Sequence, residues 1–358
     1  MKTQGQTLPL SSLNNKRKII IALVPVFIVF SAFILIININ KNSNLPLSND
    51  KEDAGGIYVL STPRKIVYLS NDFKEISETN ILGGWEIQPI TAEKVYVSIR
   101  GNPNKNGQEV LVLENGKITD KIKLTYNMPT IIRYNDYNKK AYVGHVGKIS
   151  NHEENCITVI DTLTDKEEKN IMYDSCVEDI TFDQNGKMFV RAWDITGGND
   201  RIDVFDLDTD SIIKSIPIDT KITSFVYLES TDLIYGVTEL DKEPLLYIID
   251  WQKGEIIDKV TLKFRNPYKI KLFDYNGEEH LFISHFNIDD GNGQEISIID
   301  PITKKTVNYI SDASYPRDFF VSNNQIIACS TNNNKLLVYD QLGAKIKSID
   351  VQYPISIL

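Results

Sequence analysis

Several residue types and motifs that build catalytic or metal sites are scarce or missing in this chain. It has only three cysteines, no Cys-x-x-Cys pair and no cluster of Cys with His, so the sequence predicts no metal site. Gly-x-Ser-x-Gly, phosphate-loop and dinucleotide-binding fingerprints are also missing, and no cofactor is expected. The 39 Lys and Arg are outnumbered by 48 Asp and Glu and form no basic stripe. Because phosphate neutralisation needs clustered cations, nucleic acid is excluded as a partner.

Long hydrophobic runs are equally scarce, and a single one stands out. Residues 19–37 form a 19-residue run without a charged side chain, directly after the basic residues 16–18. At about 1.5 Å per residue the run spans about 29 Å, close to the thickness of a bilayer core. The basic cluster on its N-terminal side predicts that residues 1–18 are a cytoplasmic tail and that the rest of the chain lies outside the cytoplasm.

A cleaved signal peptide is the alternative reading of this run. The apolar region of a signal peptide is shorter and is followed by a small-x-small cleavage site, whereas Ile-Asn-Ile-Asn-Lys follows here. The sequence therefore favours an uncleaved transmembrane signal anchor in the cell membrane. Residues 38–55 are a polar linker with little to bury.

Helical periodicity is missing after residue 55, and a repeat of strand and turn signals takes its place. The repeat is marked by Val159-Ile160-Asp161, Val204-Phe205-Asp206, Ile248-Ile249-Asp250, Ile298-Ile299-Asp300 and Val338-Tyr339-Asp340. The steps between the Asp residues are 45, 44, 50 and 40 residues. A repeat of this length with only strand signals indicates a four-stranded propeller blade. Each repeated Asp is expected to cap the turn that follows it by accepting backbone N–H bonds.

The number of blades follows from a second landmark, an apolar triplet in the second strand of each block. Seven copies occur, at residues 57–59, 95–97, 141–143, 188–190, 234–236, 281–283 and 326–328. Only six first strands precede them. The last segment, residues 353–358, begins with the same Pro-x-x-Ile pattern as residues 129–132 and 267–270. We therefore predict an all-β, seven-bladed β-propeller over residues 56–358, in which the C-terminal strand closes the first blade and leaves no open edge.

Two motifs resemble those of a known family. Ala141-Tyr142-Val143 and the stretch 158–166 (TVIDTLTDK) resemble the strand and turn pattern of the YVTN-type seven-bladed propellers, which include surface-layer-associated and YncE-like proteins. The resemblance covers residues 56–358, although no block carries the literal four-letter signature. It implies a propeller located outside the cytoplasm. It implies no catalytic residues, because members of the family differ in activity.

Candidate ligand-binding residues gather where the propeller topology places the mouth of the central channel. Long polar loops follow the second strands and share one face with the connections between blades, and such loops commonly carry binding residues. His145 and His285 occupy equivalent places in two blades and are expected to point toward one another at the channel rim, too far apart to share a metal ion. The other candidates for this mixed-charge mouth are Arg191, Arg100, Glu86, Glu178, Asp179, Tyr268, Lys269, Arg317 and Asp318.

The cysteines add one structural expectation. Cys156 and Cys176 flank a predicted hairpin whose pairing would bring position 156 near position 174. Outside the cytoplasm these two residues are candidates for a disulfide, with two separately packed thiols as the alternative.

The sequence thus predicts a binding or interaction module for a protein, an envelope polymer or a small ligand. One alternative is a lactonase-, lyase- or dehydrogenase-like propeller enzyme, with His145, His285, Arg191 and Glu178 providing acid–base and substrate-binding groups. The other is a purely structural envelope protein.

Overall fold

The computed structural model of the protein describes residues 56–61, 65–102, 105–146, 155–193, 200–238, 243–286, 293–322 and 324–354. The segments 1–18, 19–37 and 38–55, including the predicted signal anchor, lie outside these residues. Within the part of the chain that is described, no helix has the length and apolar character of a membrane span.

The described residues form seven antiparallel sheets, one with three strands and six with four, and this confirms the predicted all-β, seven-bladed propeller. We number the blades 1 to 7 from the N-terminal sheet. The innermost strands of blades 2 to 7 are Gly84–Pro89 (β4), Pro129–Asn135 (β8), Cys176–Phe182 (β12), Ser224–Leu228 (β16), Pro267–Tyr275 (β20) and Pro316–Ser322 (β24).

The remaining strands follow in the same order outward in every blade. The second strands are Ile57–Ser61 (β1), Lys94–Asn102 (β5), Lys140–His145 (β9), Lys187–Trp193 (β13), Leu233–Val237 (β17), Glu278–His285 (β21) and Gln325–Ser330 (β25). The third strands are Lys65–Leu69 (β2), Lys105–Glu114 (β6), Cys156–Asp161 (β10), Arg201–Asp206 (β14), Leu245–Asp250 (β18), Glu295–Asp300 (β22) and Lys335–Asp340 (β26). The outermost strands are Glu75–Asn80 (β3), Lys117–Lys123 (β7), Lys166–Met172 (β11), Ser211–Pro217 (β15), Glu255–Thr261 (β19), Lys305–Ile310 (β23) and Lys345–Asp350 (β27). Thr331–Asn333 is a short 3-10 helix.

Two faces of the ring can be distinguished. The hairpins between first and second strands and between third and outermost strands lie on one face, which we call the turn face; residues 136–139 and 162–165 are examples. On the opposite face, which we call the loop face, the second strands end, the third strands begin and the chain passes from one blade to the next.

The core consists of seven apolar clusters, one between each pair of neighbouring blades, including the pair formed by blades 7 and 1. Successive residues of a strand point to opposite faces of its sheet, so a strand that packs against a neighbouring blade on each face needs apolar residues on both sides. Tyr142 packs between blades 3 and 4, and its neighbour Val143 packs between blades 2 and 3. The apolar triplets of the sequence are therefore explained by burial on both faces.

The repeated Asp residues cap turns, as predicted. Asp161 Oδ1 accepts hydrogen bonds from the backbone N–H groups of Leu163 and Thr164, and Asp300 Oδ1 does the same in blade 6. The last residue of each of these turns is left-handed, with φ of 53° at Asp165 and 60° at Lys304. Each such turn is followed by a register shift in the sheet.

The C-terminal segment reaches the inner edge of blade 1, where the sequence predicted that it would close the ring. Ser61 at the end of β1 forms an antiparallel bridge with Pro354, and the Ser61 hydroxyl donates to the carbonyl oxygen of Gln352 (2.6 Å). A proline pairs in the same way with the end of the second strand at the start of β8, β20 and β24. Residues 355–358, the rest of the closing segment, lie outside the described residues.

Removing this segment tests the closure. Deleting residues 353–358 takes away the bridge at Ser61 and should lower the thermal unfolding midpoint by more than Ser61→Ala does, since Ser61→Ala removes one hydrogen bond worth about 1 kcal/mol. Ser348→Ala, at an exposed position on the outermost strand of blade 7, serves as the control and should leave the midpoint unchanged. A truncated protein that unfolds like the full chain would contradict closure by this segment.

Candidate functional site

The innermost strands have one edge that faces the channel and has no neighbouring strand to pair with. Their inward N–H groups need other acceptors, because an unpaired buried N–H is costly. The backbone N–H of Ile132 donates to Glu86 Oε2 of the preceding blade (3.0 Å), and that of Ile270 donates to Ser224 Oγ (3.2 Å). In blades 4 and 7 the acceptors are the carboxylates of Asp179 and Asp318. The fold thus places oxygen-bearing side chains in the channel.

Arg133 lies between two of these carboxylates. Its Nη1 is 2.6 Å from Glu86 Oε1 and its Nη2 is 2.5 Å from Asp179 Oδ1. The three residues come from the innermost strands of blades 2, 3 and 4. Burial disfavours the charge of Arg133, but the two carboxylates outweigh it and raise the pKa of the guanidinium. Arg133 therefore stays charged, and its two ion pairs connect blades 2, 3 and 4 across the channel.

Lys271 and Asp318 form a second ion pair, between blades 6 and 7. Lys271 Nζ lies 2.5 Å from Asp318 Oδ1 and also donates to the carbonyl oxygen of Phe319 (2.9 Å). Burial lowers the pKa of Lys271 to about 8, although the carboxylate of Asp318 opposes this shift. Lys271 is therefore the most readily deprotonated cation of the site near neutral pH.

Lys269 lies on the same strand as Lys271 and also faces the channel. Its ammonium makes no hydrogen bond or ion pair with any residue of the described ranges. Burial works against its charge, but the carboxylates of Asp318 and Asp179 outweigh burial and raise its pKa. We call Glu86, Arg133, Asp179, Lys269, Lys271 and Asp318 the channel cluster.

The channel contains a cavity of about 760 Å³. Its wall includes Arg133, Asp179, Lys269 and Lys271 of the channel cluster. The cavity is also lined by Gln88, Tyr134, Asn135, Asp136, Tyr137, Thr181, Phe182, Asp183, Gln184 and Ser224. Asp136, Tyr137 and Gln184 are exposed and belong to hairpins of the turn face. The sequence placed the mixed-charge mouth on the loop face, whereas this cavity extends to the turn face.

The prediction that His145 and His285 point across the channel rim is wrong, because both are fully buried inside their own blades. His145 Nδ1–H donates to the carbonyl oxygen of Asn127 (2.8 Å) and its Nε2 lies 2.9 Å from Thr158 Oγ1. His285 makes the matching contacts with the carbonyl oxygen of Arg265 (3.0 Å) and with Ser297 Oγ (2.8 Å). Counting from the apolar triplet gave the right strand but the wrong direction for the side chain.

Both histidines belong to a motif that recurs where the chain enters an innermost strand. In blades 1, 3, 6 and 7 the last residue of the second strand donates to the carbonyl oxygen of the residue two before a proline. The four donors are Ser61, His145, His285 and Ser330, and the acceptors are Gln352, Asn127, Arg265 and Ser314. The residue before each proline is left-handed, with φ of 47° at Tyr353, 54° at Met128, 54° at Asn266 and 62° at Tyr315. We call this motif the strand-entry latch, since its bond holds a strained backbone that a non-glycine residue rarely adopts.

Three of the predicted site residues on the loop face, Arg191, Arg100 and Glu178, lie near one another in the structure. Arg191 is almost fully buried, and its Nη2 lies 3.4 Å from Asp200 Oδ2. The guanidinium of Arg100 stacks 4.1 Å from the ring centre of Trp85. Burial lowers the pKa of both arginines, and the carboxylate of Glu178 opposes the shift in each case. Glu178 therefore lies within electrostatic range of both guanidinium groups.

The remaining candidates are less informative. Tyr268 is half-buried and packs edge-on against Phe286, with ring centres 5.2 Å apart. Arg317 is half-buried next to Asp318. Most of the long loops predicted to display binding residues, namely 147–154, 194–199, 239–242 and 287–292, lie outside the described residues. No group of three or more His, Cys, Asp or Glu side chains that could hold a metal ion occurs within the described ranges.

Cys156 and Cys176 are both buried, and their disulfide stays a prediction. The expected pairing of position 156 with position 174 is wrong. Cys156 pairs with Met172, because the turn spans only residues 162–165 and a bulge follows it. Cys176 starts the next blade, and its Sγ lies 3.3 Å from the carbonyl oxygen of Val146.

Two members of the channel cluster, Arg133 and Lys271, were not among the sequence candidates. When the innermost strands are aligned, Glu86, Asp179 and Lys269 share one position, and Arg133 and Lys271 lie two residues after it. Arg133 pairs with Tyr142 and Lys271 pairs with Phe282, each the middle residue of an apolar triplet. Since side chains alternate along a strand, a period-two reading of the innermost strands would have found them.

Comparisons with known proteins support the fold and nothing finer. No protein-family model matches the chain, and no curated protein matches it. Among solved structures, a chain of Kuenenia stuttgartiensis hydrazine synthase is similar with a TM-score of 0.65 and 14% identity, covering 83% of this chain and 98% of that one. The computationally designed Ika8 protein matches with a TM-score of 0.59 and 12% identity, covering 91% and 90%. A chain of the mitotic checkpoint complex matches with a TM-score of 0.57 and 12% identity, covering 74% and 77%.

The Arg133 triad gives a stability prediction. Arg133→Met leaves Glu86 and Asp179 buried without their cation and should destabilise the protein by about 3–5 kcal/mol in urea unfolding at neutral pH. Replacing both carboxylates as well, in the triple variant Glu86→Gln, Arg133→Met, Asp179→Asn, should restore much of this loss. A loss below about 0.5 kcal/mol for Arg133→Met would contradict the triad.

The buried His285 gives a pH prediction. Burial lowers its pKa from 6.5 to about 4, so between these values the unfolded chain takes up a proton that the folded protein does not. Stability from this group is full above the unfolded pKa and should fall by about 2 kcal/mol between about pH 7.5 and about pH 5. The measurement is urea unfolding at both pH values for the wild type and for His285→Asn, which can keep the donor of the strand-entry latch without titrating. An equal pH dependence in both proteins would rule out this contribution.

Proposed function

We propose that the protein is a membrane-anchored binding module whose β-propeller lies outside the cytoplasm and takes a small polar ligand into its central cavity. The observation that carries the proposal is the cavity of about 760 Å³, which is lined by charged side chains of blades 3, 4 and 6. Its volume is within the range typical of small-molecule sites, and a few fixed polar groups in such a cavity provide orientation and specificity.

The contacts of the histidines favour binding over the enzyme alternative. In His145 and in His285 both ring nitrogens contact protein oxygens, so neither ring is placed to exchange a proton with a ligand in the channel. Most cations and carboxylates of the channel cluster pair with one another, so these groups are engaged in ion pairs and not aimed at a reacting group.

The location is supported by the sequence. The apolar run 19–37 behind basic residues is typical of a signal anchor with the bulk of the chain outside. The strand and turn motifs support membership of the YVTN-type propellers, and the seven-bladed fold is compatible with that family.

A variant that fills the cavity tests the proposal. Thr181 lines the cavity, and Thr181→Trp should occupy much of it, whereas Thr261→Trp places the same side chain at an exposed position on an outermost strand. Full-length protein is incubated with the small-molecule fraction of an envelope digest, desalted, and its bound species are identified by mass spectrometry. We expect a species retained by the wild type and by Thr261→Trp but lost from Thr181→Trp. Retention by none of the proteins, or equally by all three, would overturn a ligand in the channel.

A further inference from the structure

We infer that the ligand of the channel is a small monocarboxylate with a neutral, hydroxylated body, and that Lys269 binds its carboxylate. This inference rests on the proposed function and names the chemical class of the ligand. Its basis is the pattern of partners inside the channel cluster.

The channel cluster contains three cations and three carboxylates, so it is balanced in charge. Arg133 bonds with Glu86 and Asp179, and Lys271 bonds with Asp318. Each carboxylate also accepts a backbone N–H of an innermost strand. Five of the six charged groups are therefore held by the protein itself.

Lys269 is the exception. The Lys269 side chain is half-buried, and its ammonium has three donors and no acceptor. Because no described residue bonds with the Lys269 ammonium, its donors are left for the contents of the cavity that it lines. The group that completes this site is therefore a hydrogen-bond acceptor.

The surrounding charges restrict the acceptor to a single negative charge. A cationic ligand would be repelled by Lys269, and the three carboxylates of the channel cluster are already paired with cations of the protein. A dianion such as phosphate would place its second charge near Asp179 and Asp318, which already act on Lys269 electrostatically. A singly charged carboxylate gains a charge-assisted hydrogen bond with the least repulsion.

The residues that line the cavity between Lys269 and the turn face indicate the chemistry of the rest of the ligand. Gln88, Thr181 and Ser224 are small or neutral polar side chains, and Tyr134 and Phe182 add aromatic surface. In this part of the described wall the carboxylate of Asp136 pairs with Lys139, and that of Asp183 accepts two backbone N–H bonds of its own turn. A neutral body with hydroxyl groups, as in a hexuronic acid, matches these surfaces.

Three sugars of the same ring size test this class. Glucuronate, glucose and glucosamine differ in carrying a carboxylate, no charge or an ammonium. In titration calorimetry of the full-length protein at neutral pH, glucuronate should bind at least about tenfold more tightly than either of the others, as expected for one charge-assisted hydrogen bond.

Variants of Lys269 assign the effect to this residue. Lys269→Gln should weaken glucuronate binding by at least about tenfold, Lys269→Arg should retain it, and Lys253→Gln, which removes an exposed lysine on a turn, should leave it unchanged. If Lys269→Gln does not fold, Lys269→Met, which keeps the length of the side chain without its charge, takes its place and should weaken glucuronate binding by the same factor.

The outcomes separate the inference from the proposed function. Equal binding of all three sugars, no binding of glucuronate, or full binding by a folded Lys269→Gln would overturn the monocarboxylate. In each of these cases the cavity remains a binding site if Thr181→Trp abolishes retention of a species from the envelope digest. If retention is also absent, the proposed function fails as well.

Discussion

Closure of the ring is the constraint on which the rest of the structure depends. Each of the seven apolar clusters lies between two blades, so no blade buries both of its faces until both neighbours are in place. The seam between blades 7 and 1 joins Val59 and Val67 to Val338, which are far apart in sequence. Pairing of Pro354 with Ser61 fixes that seam from the inside. Blades 7 and 1 are joined by apolar packing, as in the other six interfaces, and by pairing of a proline with the end of a second strand. The first and last segments of the propeller therefore have the same sequence pattern as the other blades.

Closure of the ring leaves backbone N–H groups unpaired at the channel, and the charged side chains of the channel are explained by this. The innermost strands of blades 2 to 7 each turn one edge toward the channel, and the N–H groups of these edges need acceptors that no further strand supplies. Glu86, Asp179 and Asp318 meet this need, and carboxylates placed there require cations in turn. Arg133 and Lys271 neutralise them across blade boundaries. The charged site is thus first a solution to a backbone problem. Lys269 is the member that this structural role does not account for, and it is therefore the member to which we assign recognition.

The sequence was sufficient for the architecture because burial on both faces leaves a strong signal. The seven apolar triplets, the repeated Asp of the turns and the prolines Pro129, Pro267 and Pro354 all correspond to contacts in the structure. The site was harder to predict because direction depends on local irregularities. Bulges at the start of innermost strands, such as that between Val177 and Asp179, shift which residue faces the channel. A bulge and a short turn likewise moved the partner of Cys156 to Met172. Residue spacing alone reveals neither the bulges nor the short turn. The alternation of side chains along the innermost strands, which places Arg133 and Lys271 in the channel, could be recognised in the sequence.

The histidines show how one structural task can be met by different side chains. At the strand-entry latch the donor must reach a carbonyl oxygen two residues before a proline whose predecessor is left-handed. A serine hydroxyl does this in blades 1 and 7 and an imidazole does it in blades 3 and 6. The imidazole also extends to a hydroxyl on the third strand, Thr158 or Ser297, so it ties three strands where serine ties two. Two histidines at matching positions look like a site in the sequence because catalysis and latching select the same residue type. Burial of both rings, together with serines at the same position in other blades, decides for latching.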